Sequence, residues 1–233
     1  MTTDARRGFR LAAAAAMLCL LAAAPDPRDL SGVWSLTGKY DLQFRADDVP
    51  GGEAPLNPAG RAIFDRRIKA YADGHNEPEP PNRCRPHGVP RIMMSPYPIE
   101  IVQTPGQVTL VHEVAHNLRI VRLDQPHAPK AAPAYMGDSV GHWDGDTLVV
   151  DTVGLRGDTW IDEAGKPHGA RLHVVERFHK DEHGRMTDDI RIDDPEFYTA
   201  PWHTSRTFIH DPRAPRITEY VCEEADDFQK ADR

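Results

Sequence analysis

The sequence predicts an all-β protein: a single antiparallel meander of about eight to ten strands, closed or nearly closed into a barrel, with one short helix. Two observations carry this prediction. β-prone runs recur about every ten residues and are separated by turn residues, and only one segment has the caps and apolar spacing of a helix. Sequential hairpins leave exposed sheet edges, which closure into a barrel removes. A two-sheet sandwich is the alternative.

The predicted strands follow the runs of β-branched and aromatic residues. The first is short and centres on Gly32-Val33-Trp34, and Asp144-Gly145 between two apolar runs is a strong hairpin signal. The other predicted strands are Ile99 to Gln103, Val108 to Val114, Leu118 to Leu123, Val140 to Trp143, Thr147 to Val153, Leu172 to His179, Met186 to Asp193, His203 to His210 and Arg216 to Cys222.

The helix is predicted between Asn57 and Gly74. Asn57 can cap it, Pro58 suits the first helical position, and Gly74 can end it. Its apolar residues fall on one stripe, which comprises Ile63, Phe64, Ile68 and Tyr71.

Composition limits the possible partners. The chain of 233 residues has a formal net charge of -8 and no long basic run. Nucleic acid and anionic membrane surfaces are therefore not expected partners. Phosphate-binding loops, dinucleotide fingerprints and nucleophilic serine motifs are absent from the sequence, so we expect no cofactor.

Residues 1–24 are predicted to be an export signal, and residues 25–233 one β-barrel domain. Arginines at 6, 7 and 10 precede an apolar run from Leu11 to Ala24, as in secretory signals. The run is shorter than the roughly 20 residues that span a bilayer, so no stable membrane insertion is expected. We expect a periplasmic or secreted protein, exported by the Sec route or, given Arg-Arg-x-Phe, the twin-arginine route.

Cys84 and Cys222 remain after the signal is removed. In an oxidising compartment such a pair is most simply a disulfide, although two unpaired thiols are the alternative. A bridge would tie the Pro-rich loop to the predicted last strand.

Several sequence blocks carry a family resemblance. The mature chain resembles a family of exported bacterial proteins of uncharacterised activity, which implies one exported β domain and no particular chemistry. Gly32-Val33-Trp34 also resembles the first-strand signature of the lipocalin and calycin barrels, in which the Trp packs over the barrel floor. The family blocks are 29–34, 101–106, 141–152 (GHWDGDTLVVDT), 173–178 and 219–223.

The segment His112-Glu113-Val114-Ala115-His116 matches the zinc-peptidase pattern His-Glu-x-x-His. That chemistry needs a helix, because imidazoles four residues apart lie about 6 Å apart on a helix but about 13 Å apart along a strand. The β-branched flanks predict two strands with a turn at Ala115 to Asn117. A zinc-dependent hydrolase is therefore an alternative, and no metal ligands are assigned.

The Asp144-Gly145 hairpin predicts a group of polar side chains on one sheet face. A two-residue turn at these positions would pair His142 with Thr147 and Asp138 with Asp151. Paired carboxyl groups in an apolar setting differ in pKa and suit acid–base roles. A solvated face is the competing interpretation.

Glu176 alternates with apolar residues and is predicted to point inward, where it needs a partner. We predict that this partner is Arg206, as a core ion pair or a ligand anchor. Trp143 and Trp202 are candidate walls of a pocket.

These residues support three functional hypotheses. The first is an internal pocket for a small, partly apolar organic molecule, with cofactor-free acid–base chemistry (elimination, hydration or isomerisation) by Asp151, Glu176 and His142. In it, Arg206, Trp143, Trp202 and Asp138 contact the substrate. The second is a non-catalytic ligand-binding envelope protein, and the third is the zinc hydrolase. The sequence leaves the oligomeric state open.

Overall fold

A computed structural model describes residues 26–38, 41–75, 84–130 and 132–222. The predicted export signal lies outside these residues. Among them, nine strands form one closed barrel in chain order, and a single α-helix precedes the second strand. The predicted all-β barrel with one helix is confirmed. The strands are β1 (Gly32–Leu36), β2 (Ile99–Thr104), β3 (Gln107–His112), β4 (Asn117–Leu123), β5 (Asp138–Asp144), β6 (Thr147–Val153), β7 (His173–Lys180), β8 (Met186–Asp193) and β9 (Trp202–His210).

Strand pairing departs from an antiparallel meander at one junction. β4 and β5 are parallel, and every other neighbouring pair is antiparallel, including β9 with β1. A ring of antiparallel pairs alone needs an even number of strands, so nine strands require a parallel pair. The long connection 124–137 supplies it by carrying the chain back along the barrel before β5 begins.

The helix α1 (Pro58–Ala72) is capped as predicted, with the Asn57 side chain accepting a hydrogen bond from Gly60 N. Fewer residues of the predicted apolar stripe are buried than expected: Phe64 is buried, whereas Ile68 and Tyr71 are exposed. Gly60 allows close approach to the β8–β9 connection: a Cβ there would lie 2.5 Å from the carbonyl oxygen of Phe197.

The core fills the barrel with alternate residues of each strand, and one strand reverses the expected polarity. On β4, Asn117 and Arg119 are buried, whereas Leu118 and Ile120 face solvent. The inward face of β4 therefore combines the polar residues Asn117 and Arg119 with the buried Val121.

Residues 211–222, the described chain beyond β9, contain no strand, so the prediction of a strand from Arg216 to Cys222 is wrong. β9 already pairs with β1 and leaves no sheet edge to extend. The tail is instead fixed by a disulfide between Cys84 and Cys222, whose Cα atoms lie 5.6 Å apart. The predicted disulfide is confirmed. The described residues contain no helix of the length and apolarity that crossing a bilayer requires.

Candidate functional site in the barrel

Six buried polar side chains from six successive strands face the barrel interior. We call them the lumen cluster, and they comprise His112 (β3), Arg119 (β4), Ser139 (β5), Thr152 (β6), Glu176 (β7) and Asp188 (β8). Burying so many polar groups is costly unless each finds a hydrogen-bond partner.

Arg119 organises one half of the cluster. Its guanidinium donates to both carboxylate oxygens of Glu176, with Nη1 2.9 Å from Oε1. Nη2 also donates to Thr152 Oγ1 at 2.8 Å, and Nε donates to Ser139 Oγ at 3.2 Å. Two-pronged pairing with a carboxylate suits the guanidinium fork, and this half of the cluster is fully hydrogen-bonded.

Asp188 has no such partners. Its side chain is fully buried, and neither carboxyl oxygen has a hydrogen-bond partner among the described residues. Burial raises the pKa of Asp188 well above its usual range, and the negative charge of Glu176 raises it further, although Arg119 opposes the change. Asp188 therefore gives up its proton less readily than an exposed aspartate does, and two neighbouring carboxyl groups in unlike surroundings are typical of acid–base sites.

His112 is the second buried group without partners. Both ring nitrogens lack a hydrogen-bond partner within the described chain. Burial lowers the pKa of His112 to about 3, helped by the positive charge of Arg119 and by His87. The imidazole is therefore neutral near pH 7 and can offer one donor and one acceptor.

Glu176 points inward as predicted, but the prediction that Arg206 is its partner is wrong. Arg119 occupies that role because Ser139 and Thr152, on the two intervening strands, hold its guanidinium across to β7. Arg206 instead donates to the carbonyl oxygens of Ser205 at 2.7 Å and Gln43 at 3.3 Å.

Arg206 lines a cavity of about 400 Å³ where β1 ends. We call it the β1–β9 cavity, and it lies between β9, the segment after β1 and the turn before β2. Such a volume suits a small organic ligand. Arg206 is also the direct strand partner of Asp188, which places the cavity beside the lumen cluster. The lining residues are Leu36, Thr37, Gly38, Asp41, Gln43, Arg45, Met94, Pro96, Ser205, Arg206 and Thr207.

The predicted acidic group forms on the outer wall of the barrel. Asp138, His142 and Asp151 share a face, as predicted, but inward positions on β5 and β6 belong to Ser139 and Thr152. The register differs from the prediction by two residues, because Gly145-Asp146 forms the turn and His142 pairs with Val149.

On that outer wall the imidazole of His127 bridges the carboxylates of Asp138 and Asp151. His127 Nδ1 lies 3.0 Å from Asp138 Oδ2, and His127 Nε2 lies 2.9 Å from Asp151 Oδ1. His173 Nε2 lies 2.9 Å from the other oxygen of Asp151. The structure therefore does not bring Asp138, Asp151 and His142 together with Glu176, and their partners attach the β4–β5 connection to the wall.

The two predicted aromatic walls differ in their surroundings. Trp202 is fully buried on the inward face of β9, with its ring centroid 5.7 Å from that of Tyr198. Its Nε1 has no hydrogen-bond partner in the described residues. Trp143 is half-buried near the end of β5, where it packs against the core and lies 5.8 Å from the guanidinium carbon of Arg28. Trp202 lies on β9, the strand that carries Arg206.

The His-Glu-x-x-His segment has the predicted strand and turn, which excludes the helix that its zinc chemistry needs. His112 ends β3 inside the barrel, and a short 3-10 turn follows at Val114–His116. Glu113 accepts from Thr218 N at 2.8 Å, and His116 Nε2 accepts from Tyr220 N at 3.0 Å. The zinc hydrolase hypothesis is therefore wrong: Glu113 and His116 hold the tail, and only His112 faces the lumen.

Of the six cluster members, only Glu176 was predicted to face inward, and the signals carried by Asp188, His112 and Arg119 differ. Asp188 alternates with Met186, Ile190 and Ile192, which is the pattern that identified Glu176. His112 carries the same signal on β3, where it alternates with the buried residues Val108 and Leu110. Arg119 gives an ambiguous signal, because apolar residues lie on both faces of β4.

Comparison with known proteins adds no assignment to this geometry. No protein-family model matches the chain, and neither does any curated protein at a significant level.

Proposed function

We propose that this chain is an exported small-molecule-binding β-barrel whose ligand occupies the β1–β9 cavity and reaches the lumen cluster. One observation carries the proposal: Arg206, which lines the cavity, lies directly opposite Asp188 on the neighbouring strand. Asp188 is a buried carboxyl group without a hydrogen-bond partner among the described residues. Buried groups that lack protein partners are typical of sites that hydrogen-bond a ligand. The disulfide between Cys84 and Cys222 supports export, because such bonds persist in oxidising compartments.

The lining of the cavity defines the kind of ligand. Leu36, Met94 and Pro96 provide apolar surface, and Gln43 and Arg206 provide donors. A ligand of this site has an apolar body and at least one hydrogen-bonding group.

Binding is tested with N-phenyl-1-naphthylamine, a neutral probe that fluoresces in apolar sites. Leu36→Trp fills the cavity and should abolish the fluorescence rise, whereas Leu118→Trp on the exposed outer wall is the matched control and should leave it unchanged. Equal titration curves for both variants and the unmodified protein would refute this binding site. Thr207→Leu provides a second cavity-filling variant if Leu36→Trp does not fold.

A second candidate function is acid–base catalysis, favoured by two buried carboxyl groups in unlike surroundings: Glu176 is hydrogen-bonded by Arg119, whereas Asp188 has no partner among the described residues and a raised pKa. In the enolisation of a bound ketone, Asp188 would donate its proton to the carbonyl oxygen, and the Glu176 carboxylate would take the proton from the α-carbon. The test is α-deuteration of 4-phenyl-2-butanone in heavy water, followed by proton NMR.

Acceleration of that exchange by the protein, lost in Asp188→Asn and kept in Asp189→Asn, would support catalysis. The control residue is adjacent to Asp188 but points out of the barrel. If 4-phenyl-2-butanone displaces N-phenyl-1-naphthylamine but exchanges no faster than in buffer, this protein binds ligands without enolising them.

A further inference from the structure

The β1–β9 cavity carries more positive charge than its own carboxylates match. Among the described residues, three ionisable side chains line it, namely Asp41, Arg45 and Arg206, which together carry one net positive charge. Arg45 is paired with Asp41, with Nε 3.2 Å from Oδ2. Arg206 feels the charges of Asp47, Asp41, Asp162 and Asp188, but among the described residues no carboxylate contacts its guanidinium directly.

Arg206 is held in place without a carboxylate. Among the described residues, its hydrogen bonds go to two backbone carbonyl oxygens, and its guanidinium carbon lies 4.3 Å from the ring centroid of Phe44. Its strand partner Asp188 makes no hydrogen bond to it. A guanidinium has five N–H donors in a planar fork that matches an oxyanion, so donors remain for a ligand.

Burial lowers the pKa of Arg206, although Asp47 and Asp41 act in the opposite direction. The guanidinium stays charged because its ordinary pKa is far above neutrality. A partly buried charge without a direct counterion gains from an anionic partner more than an exposed one does.

Arg119, which also lies beside a cleft, has a carboxylate partner. Arg119 borders a separate cleft of about 390 Å³ between β4 and β5, but its charge is already matched by Glu176. Of these two arginines, only Arg206 offers unmatched charge to a ligand.

We propose that the β1–β9 cavity selects organic anions, with a carboxylate or sulfonate held by the Arg206 fork and an apolar body against Leu36, Met94 and Pro96. This inference rests on the proposed function, since it names the ligand class of the same cavity.

The test compares two probes with the same aromatic body. 8-Anilinonaphthalene-1-sulfonate carries a negative charge, whereas N-phenyl-1-naphthylamine is neutral. In the unmodified protein we expect the anion to bind about tenfold more tightly than the neutral probe, as one charge-assisted contact would give. 4-Phenylbutyrate should displace the anionic probe, and 4-phenylbutanol should compete less well.

Substitutions at Arg206 and Arg45 test whether the charge of Arg206 selects the anion. Arg206→Met should weaken anion binding about tenfold and change binding of the neutral probe by less than about twofold. Arg45→Met is the matched control, and its effect on the anion should be smaller because Arg45 is paired with Asp41. Arg206→Lys keeps the charge but loses the fork, and serves as a second variant should Arg206→Met not fold.

The two proposals fail differently. If neither probe binds in the cavity, the proposed function fails. If the neutral probe binds as tightly as the anion, or Arg206→Met affects both probes equally, the cavity binds small molecules without selecting anions.

Discussion

The Arg119 guanidinium donates to both carboxylate oxygens of Glu176 in the interior of the barrel, where both side chains are almost wholly buried. The pair spans from β4 to β7, and the hydroxyl groups of Ser139 and Thr152 on the intervening strands complete it. Burial is the main cause of the raised pKa of Asp188 and of the lowered pKa of His112; the charge of Glu176 adds to the first shift, and the charge of Arg119 adds to the second.

Removing one member of this pair should destabilise the protein strongly. Glu176→Gln leaves a buried guanidinium without a counter-charge, a change that typically costs about 3–5 kcal/mol. Urea unfolding should therefore show a markedly lower midpoint, and the double substitution Arg119→Met with Glu176→Met should recover much of the loss. Arg177→Met, which removes an exposed pair with Asp144, is the control and should cost at most about 1 kcal/mol. A Glu176→Gln protein as stable as the control would contradict a buried ion pair.

Asp188→Asn should stabilise the protein at neutral pH. The folded-state pKa of Asp188 lies above the unfolded value of 3.8, so the unfolded state binds fewer protons once the pH exceeds that value. Stability is therefore lost as the pH rises from about 3.8 through the folded-state pKa. Asparagine has no proton to lose, so thermal unfolding should show a gain at pH 7 that disappears at low pH. Asp189→Asn, on the outer face, should show no such gain.

His112 should make the protein sensitive to acid. Its pKa of about 3 in the folded state lies below 6.5, the usual value, so the unfolded state binds the extra proton between these limits. Stability should fall as the pH drops through this range, by about 3 kcal/mol at pH 4. Chemical unfolding of His112→Gln should show a shallower loss over the same range. The control is His183→Gln in the exposed β7–β8 loop; a slope unchanged in both variants would argue against a buried neutral imidazole.

Reduction of the disulfide should loosen the tail. Cys84 and Cys222 are 138 residues apart, and losing a bridge typically costs about 2–5 kcal/mol. Thermal unfolding with and without dithiothreitol should show this loss in the unmodified protein. The double variant Cys84→Ser with Cys222→Ser should start at the lower stability and respond no further to reductant. No response in the unmodified protein would mean that the bridge contributes nothing.

Alternation along the strands explains which parts of the site the sequence could predict. Glu176 lies between apolar neighbours that fill the core, so its inward direction could be predicted, and Asp188 carries the same signal. Arg119 could not be found in this way, because apolar residues lie on both faces of β4: Leu118 and Ile120 face solvent, whereas Val121 is buried on the face of Arg119. Local apolar spacing identifies a face, but the three-dimensional packing decides which face is inside.

Long-range pairing accounts for the other differences. The face shared by Asp138 and Asp151 follows from the hairpin, but only the complete barrel determines that this face points outward. Likewise, the last β-prone segment could form a strand only if an edge were free, and β9 takes the edge of β1. Closure of the barrel depends on all nine strands together. The positions of the strands could therefore be predicted from local sequence more readily than which of their faces points into the barrel.

We propose that Asp188 is protonated and lies within reach of a ligand in the β1–β9 cavity. The most direct measurement is carbon-13 NMR of the Asp188 side-chain carboxyl, titrated with acid and base in the presence and absence of N-phenyl-1-naphthylamine. We predict a carboxyl group that remains protonated at pH 7 and a resonance that shifts when the probe binds. An Asp188 that titrates near its ordinary value, with a resonance indifferent to bound probe, would contradict the claim.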